Sequence, residues 1–290
     1  MLVSKSLNLN DSRQGKHLSH YLIANNTPEM LANLYCHSDS ADIRPLYLDS
    51  DFSHFLDISP YITKVEIGDT LLNLFVNSTE TGNSWSGVIV STSSTLTFEA
   101  LILHLQERLM TTFSEGRKGV MHYYNPVVAD YFIGESNYDD TARWLGPIVQ
   151  FTWRNQTLSP RFNLWCSVES PQSNKDKSTT TQSPWVLTSS QEKALEQLYD
   201  DKILASYFKN NIQLKLTPDI WKQYREYFKR SEEMGLVDKQ YIFEFFKIIE
   251  RNGLPHREKT LYTKLVSTKN QEDKLKIYKH ALQREELYVS

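Results

Sequence analysis

Apolar and polar residues alternate in short runs over the first part of the chain, and helical patterns separate these runs. Residues 61–67 alternate strictly and predict a half-buried strand. Residues 85–92 are apolar at nearly every position of their centre and predict a strand covered on both faces. Residues 1–17 are polar and predict no element. The alternation of strand and helix predicts an α/β (α+β) lobe with a mixed β-sheet flanked by helices over residues 18–169.

The clearest helix pattern lies between residues 95 and 109. Its apolar residues recur at the spacing of one helix face, and mostly charged residues occupy the other positions. The apolar face contains Phe98, Leu101, Ile102, Leu105 and Leu109. The other positions contain Glu99, His104, Glu107 and Arg108, and we expect these side chains at the surface.

A β-branched and aromatic run at residues 120–124 predicts a strand that ends in Tyr124. Asn125 and Pro126 stop this strand, because proline has no backbone N–H and disfavours helical angles at the residue before it. The fixed φ of Pro126 suits the first position of a helix, which we expect over residues 127–133.

A second helix ends within Trp144-Leu145-Gly146-Pro147, where a glycine and a proline follow its last apolar residues. The next strand covers residues 148–153 and alternates apolar and polar side chains up to Trp153. The sequence from residue 118 to residue 154 therefore predicts two strands and two helices in succession.

Composition changes after residue 169. Residues 170–188 are rich in serine and threonine and predict a flexible linker. From residue 189 onward the apolar spacing is helical, and cap signals precede several of the helices. Ser189 and Glu192 fit a capping box at the first of them, and Thr217 fits a cap at a later one. We expect an α/β domain over 18–169, the linker over 170–188, and a small all-helical C-terminal domain of four or five helices over 189–290.

Charge and hydropathy add no strong partner signal. The 290 residues carry a formal net charge of −3, which favours neither nucleic acid nor a membrane surface as a partner. The start of the chain lacks the apolar core of a secretory signal, and no run is long enough to span a membrane. We therefore expect a cytoplasmic protein.

Candidate chemistry is sparse. Cys36 and Cys166 are the two cysteines, and neither lies in a metal-binding or redox spacing, so we expect no metal and no cofactor. The phosphate-loop, dinucleotide and nucleophile-elbow motifs do not occur. The enzymatic alternative is a hydrolase or transferase that acts through His122, Asp139 and Asp140 in a cleft between the lobes. The alternative without catalysis is that His122 is an ordinary histidine of a strand and that Asp139 and Asp140 cap a helix.

The helical part offers two further alternatives. Its lysine and arginine residues mixed with aromatic residues are compatible with nucleic-acid binding, or with a core and a solvated face. Four aromatic residues are candidates for partner contact, although each also fits a place in a core: Trp185, Trp221, Tyr224 and Tyr227.

The ordered pattern over residues 20–154 resembles the N-terminal domain of the type VI secretion effector adaptors, also called effector chaperones of the Tec or Tap type. The residues that carry the resemblance include Trp85, Gly87, Tyr124, Asn125, Pro126, Trp144, Gly146 and Pro147. The family usually has aspartate where Asn125 stands and arginine in the strand before it, where this chain has His122 and Tyr123. This departure leaves the expected turn at Pro126 intact.

The resemblance implies a non-enzymatic cytoplasmic adaptor with two protein partners. One is a cognate toxic effector, and the other is the VgrG-type spike protein at the tip of the secretion apparatus. The adaptor would bind the effector and help to load it onto the spike, and the helical lobe would contribute to the choice of effector.

Overall fold

The computed structural model divides into two compact units. The sheet unit consists of Met1–Thr157 and Phe162–Leu198, and the helical unit consists of Leu158–Arg161 and Tyr199–Ser290. The predicted domain boundaries at residues 169 and 189 stay a prediction. The structure describes residues 2–9, 12–13, 16–40, 42–81, 85–134, 136–155, 158, 164–170, 184–211, 216–253 and 258–289.

The described part of the sheet unit contains eleven strands, five helices and one 3₁₀ helix, and a sixth helix begins at its end. In chain order they are β1 (Leu2–Ser4), β2 (Ser12–Arg13), β3 (Lys16–Ala24), α1 (Pro28–His37), β4 (Ile43–Pro45), the 3₁₀ helix (Ser53–Ile58), β5 (Tyr61–Val65), α2 (Thr70–Thr81), β6 (Gly87–Ser93), α3 (Phe98–Glu107), β7 (Met110–Thr112), β8 (Lys118–Val120), α4 (Pro126–Phe132), α5 (Tyr138–Leu145), β9 (Ile148–Arg154), β10 (Trp165–Glu169), β11 (Trp185–Val186) and α6 (Ser189–Asn210).

The main sheet has the strand order β1-β10-β9-β6-β3-β5-β4, and β2 pairs with the start of β3. The predicted fold class, a sheet flanked by helices and followed by a helical region, is confirmed. The sheet differs from the prediction in one respect, because all its described pairs are antiparallel rather than mixed. Strands β5 and β6 both run antiparallel to β3, which lies between them, and are therefore parallel to each other. Helix α2 connects them, so the strand–helix–strand pattern is real but a third strand separates its two strands.

Alternate residues of the central strands point to the two faces of this sheet. On one face, Tyr21 and Ile23 of β3 lie in a core with Phe151 and Trp153 of β9. On the other face, Leu22 lies in a second core that includes residues of α1 and α2. The apolar central strands are therefore covered on both faces, as the sequence predicts.

Close packing at the start of β6 explains why residue 87 is a glycine. A Cβ atom on Gly87 would lie 2.2 Å from the carbonyl oxygen of Ile23, on the neighbouring strand β3. Only glycine permits this approach of the two backbones. Trp85, two residues earlier, is buried in the core on the α2 face, and its Nε1 donates to Ser78 Oγ over 2.6 Å.

A small sheet has the order β11-β7-β8, with β11 parallel to β7. The predicted strand at residues 120–124 is wrong, because β8 ends at Val120 and Tyr123 and Tyr124 lie in a turn. The amide of Asn125 donates to the carbonyl of His122 over 2.9 Å and closes this turn, so the chain leaves the strand early. Of the predicted linker, residues 171–183 lie outside the described residues, and Trp185 and Val186 form β11.

Helices make up the described part of the helical unit. They are the second half of α6, then α7 (Pro218–Glu233), α8 (Lys239–Asn252), α9 (Glu258–Ser267) and α10 (Gln271–Val289). Their apolar faces form a core of aromatic and aliphatic residues. Thr217 caps α7 as predicted, since its Oγ1 accepts from Ile220 N over 3.2 Å. Among the described helices, none combines the length and the apolar character needed to cross a membrane.

Candidate functional site

A closed loop between β4 and β5 forms one surface of the sheet unit. Its ends meet where the amide of Leu46 donates to the carbonyl of Pro60 over 2.8 Å, and where the amide of Tyr47 donates to Ser59 Oγ over 3.0 Å. Between these points the chain contains the 3₁₀ helix. We call residues 46–60 the closed loop. Because its ends are hydrogen-bonded to each other, the loop is a compact unit of its own.

The closed loop has a buried and an exposed apolar side. Tyr47 and Phe52 are buried in the core of the sheet unit. The side chains of Leu48, Phe55 and Ile58 point to solvent instead, with Phe55 50 % exposed and Ile58 60 % exposed. The closed loop therefore contributes apolar side chains to the core and also leaves apolar side chains in contact with solvent.

Helix α3 adjoins the closed loop. The side-chain amide of Gln106 donates to the carbonyls of Leu46 and Leu48, over 3.0 Å and 2.6 Å. Leu103 lies one turn before Gln106 on the same side of the helix and is 63 % exposed. We call the four exposed apolar side chains of this region, Leu48, Phe55, Ile58 and Leu103, the apolar loop surface.

Hydrogen bonds between two tyrosine hydroxyls and an imidazole join the closed loop to the turn after β8. Tyr47 Oη lies 2.6 Å from Tyr124 Oη, and His122 Nδ1 also lies 2.6 Å from Tyr124 Oη. Burial raises the pKa of both tyrosines above the usual range, so both hydroxyls keep their protons at neutral pH. The network therefore ties the closed loop to Tyr124 and His122 through side-chain hydrogen bonds.

The turn that follows Tyr124 keeps its geometry without the aspartate that the resembling family usually has. Asn125 Oδ1 accepts from the amide of Val127 over 2.9 Å, which is the bond that an aspartate carboxylate would make at the same place. Pro126 then takes the first helical position of α4. The prediction that the departure at Asn125 leaves this turn intact is confirmed.

Trp144 lies at the centre of the sheet-unit core. Its ring makes edge contacts with Tyr123, Phe132 and Phe151, at centroid distances of 5.2, 5.4 and 5.9 Å. Helix α5 ends one residue later, at Leu145, and Gly146 caps it with a φ of +54°. A Cβ atom there would lie 2.6 Å from His104 Cε1, so both the backbone and the packing require glycine. Pro147 follows at the surface.

Two residues expected at the surface of α3 are buried. Burial of His104 lowers its pKa to about 3, so its imidazole is neutral at physiological pH. Arg108 is fully buried at the end of the helix. The sequence prediction is wrong for both because α3 is covered on more sides than its apolar stripe indicates, by the Gly146 turn and by β11.

The guanidinium of Arg108 contacts two tryptophans. Its Nε donates to the carbonyl of Trp144 over 2.9 Å, and its Cζ lies 4.8 Å from the ring centroid of Trp185. Among the described residues, no acceptor lies within hydrogen-bond reach of Nη1 or Nη2. Desolvation lowers the pKa of Arg108, but an arginine side chain stays protonated in proteins. The site therefore holds a buried positive charge with unused N–H donors.

Asp140 connects the start of α5 with the start of α6. Thr188 Oγ1, Ser190 Oγ and Asn137 Nδ2 donate to its Oδ2 over 2.7, 3.1 and 2.6 Å, and Arg143 donates to Oδ1. Burial alone would raise the pKa of Asp140, but these hydrogen bonds together hold it below the usual range.

The capping box expected from Ser189 and Glu192 lies one residue earlier in the structure. Thr188 is the cap, and its amide donates to Gln191 Oε1 over 3.2 Å. Glu192 instead accepts hydrogen bonds from the amide and the hydroxyl of Ser114. The prediction was wrong because threonine and glutamine make the same pattern as serine and glutamate, one position earlier.

The three residues of the enzymatic alternative have different surroundings. His122 contacts Tyr124, whereas Asp140 accepts from side chains of α5 and of the start of α6, and Asp139 is exposed. Their described contacts give no shared proton path, so the geometry does not favour a hydrolase site. Within the described ranges, no three histidine, cysteine, aspartate or glutamate side chains are placed to hold a metal ion.

The four candidate contact residues are placed differently from one another. Trp221 and Tyr224 are buried in the helical-unit core, and Tyr227 packs against that core while partly exposed. This burial favours the core alternative for Trp221 and Tyr224. Trp185 is half-buried in β11 and covers Arg108. A role of these residues in partner contact stays a prediction.

The nucleic-acid alternative for the helical region also stays a prediction. Basic side chains there pair with carboxylates: Lys279 Nζ lies 2.9 Å from Glu244 Oε1, and Lys276 Nζ lies 2.8 Å from Glu272 Oε1. Such pairs are typical of a solvated helix surface.

Comparisons with known proteins give one match. No curated protein and no solved structure matches the chain. Residues 20–143 match the model of a domain family described as a domain of unknown function, DUF4123. The match covers less than half of the chain and lies within the sheet unit. It includes six of the eleven described strands in whole or in part, the closed loop and Arg108.

Proposed function

We propose that this protein is a non-enzymatic adaptor of a type VI secretion system. It would bind a toxic effector in the bacterial cytoplasm and help to load it onto the spike protein. The observation that carries this proposal is the match of residues 20–143 to DUF4123, a family known for Tec- and Tap-like effector adaptors. The matched range contains the closed loop, the Tyr47–Tyr124–His122 network and the turn at Pro126.

The apolar loop surface supports the proposal, because an adaptor acts through contact area. Leu48, Phe55, Ile58 and Leu103 are exposed on segments that hydrogen bonds hold in place. Exposed apolar side chains on a rigid support lose little conformational entropy on binding, so they suit a protein interface. A standard interface buries about 800 Å² on each partner, and a few central residues supply most of its affinity.

In this proposal each of the two units has its own role in partner binding. We assign the apolar loop surface to a partner bound by the sheet unit, because it lies in the range that matches the family model. The helical unit, which lies outside that range, contributes to the choice of effector. The protein shields an apolar segment of the effector by burying it, and no covalent step is needed.

Co-expression followed by affinity capture tests the proposal. The full chain is expressed with the effector and the spike protein encoded beside it, and each is quantified after capture. We expect the unaltered chain to retain at least the effector. A monodisperse chain that captures neither protein overturns the adaptor function.

Variants of the apolar loop surface locate the contact. Phe55→Asp combined with Ile58→Asp places two charges in the proposed interface, and we expect capture of one partner to fall at least about tenfold. The matched control is Ile67→Asp, since Ile67 is also 50 % exposed but lies in the turn before α2. Equal capture by the loop variant and the control assigns the contact to another surface.

A further inference from the structure

Arg108 carries more N–H donors than the described residues around it can accept. A buried guanidinium usually lies against a carboxylate, because an unpaired buried charge is strongly destabilising. Arg108 has the Trp144 carbonyl and the Trp185 ring as its described partners, and neither satisfies the N–H groups on Nη1 and Nη2. The cation–π contact stabilises the positive charge through the ring face but accepts none of these hydrogen bonds.

A second unused donor lies beside the same tryptophan. Trp185 Nε1 donates to Gln191 Oε1 over 3.0 Å, which fixes the orientation of the Gln191 amide. Gln191 is fully buried, and among the described residues its Nε2 has no acceptor. Arg108 and Gln191 thus present unused N–H groups next to one ring. A surplus of donors around a positive charge is complementary to an anion with several acceptor positions, and a carboxylate has this form.

The cover over Arg108 is a short strand. Trp185 pairs with Thr111 and Val186 pairs with Thr112, so β11 adds two residues to the edge of β7. Two other bonds hold this segment, from Thr111 Oγ1 to the carbonyl of Trp185 over 3.1 Å and from the amide of Leu187 to the carbonyl of Thr112 over 2.9 Å. An extended segment from another protein could form the same bonds, to the backbone of β7 and to the Thr111 hydroxyl.

We propose that the edge of β7 is a binding site for an extended acidic peptide segment of a protein partner. The segment replaces β11 beside β7, and a carboxylate on its side chain pairs with Arg108. Trp185 occupies the site in the free protein and shields the charge from solvent. The inference is independent of the proposed secretion role, because the ligand is defined by its carboxylate and its extended form.

Peptide binding to a Trp185→Ala variant of the full chain tests this site. The probe is the N-acetylated, C-amidated pentapeptide Thr-Val-Asp-Val-Thr, and the matched control carries asparagine in place of aspartate. We expect the variant to bind the aspartate peptide at least about tenfold more tightly than the asparagine peptide. We also expect the unaltered chain to bind the aspartate peptide more weakly than the variant, because the Trp185 ring competes with the peptide for the site at Arg108. Adding Arg108→Gln to the variant abolishes the preference for aspartate.

Three outcomes overturn the proposal. If the variant binds the two peptides equally or binds neither, Arg108 does not recognise a carboxylate, as expected if an ordered water satisfies it. If sodium acetate binds as tightly as the aspartate peptide, the ligand is a small free carboxylate and not a peptide segment.

A second measurement avoids dependence on the folding of the variants. In the unaltered chain labelled with ¹⁵N, the Arg108 Nε–H signal shifts saturably with millimolar aspartate peptide and stays unchanged with the asparagine peptide. The absence of any shift with the aspartate peptide also overturns the proposal.

Discussion

Arg108 in the sheet unit and Arg225 in the helical unit differ in whether the guanidinium has a carboxylate partner among the described residues. Arg225 donates from Nε to Asp201 Oδ1 over 2.9 Å and makes a second bond to Oδ2, and the Asp201 side chain is fully buried. Arg108 is itself fully buried and has no described carboxylate partner. In the helical unit the chain supplies both charges, so the pair serves stability. In the sheet unit the missing partner points to a role in binding.

The largest expected effect is in the helical unit. Asp201→Ala removes the carboxylate and leaves Arg225 without its partner, so we expect a loss of about 2–3 kcal/mol in the free energy of unfolding. Urea denaturation followed by far-UV circular dichroism measures it. The control Glu272→Ala removes one side of an exposed pair with Lys276 and should leave the denaturation midpoint unchanged. If Asp201→Ala and the control have the same denaturation midpoint, the Arg225–Asp201 pair does not serve stability, and the contrast with Arg108 fails.

Tyrosine hydroxyls sharpen the same contrast. Tyr224 donates to the Glu250 carboxylate, whereas Tyr124 bonds to the neutral Tyr47 hydroxyl and to His122. Hydrogen bonds to charged groups are stronger, so we expect Tyr224→Phe to cost about 1.5–2 kcal/mol and Tyr124→Phe about 1 kcal/mol. Tyr199→Phe is the control because Tyr199 is exposed. If Tyr124→Phe lost more stability than Tyr224→Phe in urea denaturation, the carboxylate-bonded tyrosine of the helical unit would not be the more stabilising one.

Asp140 gives a pH-dependent effect. Its folded-state pKa lies below the ordinary carboxyl value of 3.8, so its contribution to stability is fully present above about pH 4 and is lost as the pH falls through the lowered value. We expect Asp140→Asn to cost about 1 kcal/mol at pH 7, and this cost to shrink towards pH 3. The neighbouring exposed residue supplies the control, Asp139→Asn. A cost that is constant from pH 7 to pH 3 would exclude an ionised Asp140 as the source.

The smallest expected effect is at Arg108, and it is the sharpest test of the comparison. Arg108→Met replaces an unpaired buried charge with an apolar chain of similar length, a change that is often neutral or stabilising. We expect a change within about 1 kcal/mol of zero or a gain in stability. Urea denaturation again measures it, with the corresponding Arg225→Met expected to destabilise. A loss above about 2 kcal/mol would show that contacts inside the chain satisfy Arg108.

Local features were the most predictable from the sequence. The cap at Thr217 accepts from the amide of Ile220, three residues away, so the pattern that predicts it contains both partners. Strand 87–93 was predicted because its apolar residues face two cores. Strand 148–154 was predicted because apolar residues that face one core alternate with polar ones.

Features that depend on distant residues were not predictable. Arg108 is buried because Trp185 of β11 covers it, and nothing near Arg108 in the sequence indicates that pairing. Residues 1–17 looked polar, yet β1 pairs with β10 and Leu7 and Leu9 pack on the core beneath α1 and α2. The donor surplus around Trp185 has no sequence signal at all, since it is a property of three segments that meet in space.

The pairing of β3 has a consequence for how the sheet unit forms during synthesis. This apolar strand at residues 16–24 pairs with residues 61–65 and 87–93, and the far edge of the sheet closes only when Leu2 meets Ser167. Such a high contact order slows folding, because long stretches of chain must close before any pairing is gained. The nascent chain therefore exposes the apolar strand β3 until residues 61–65 and 87–93 have been made, and in this interval the sheet unit is most prone to aggregation.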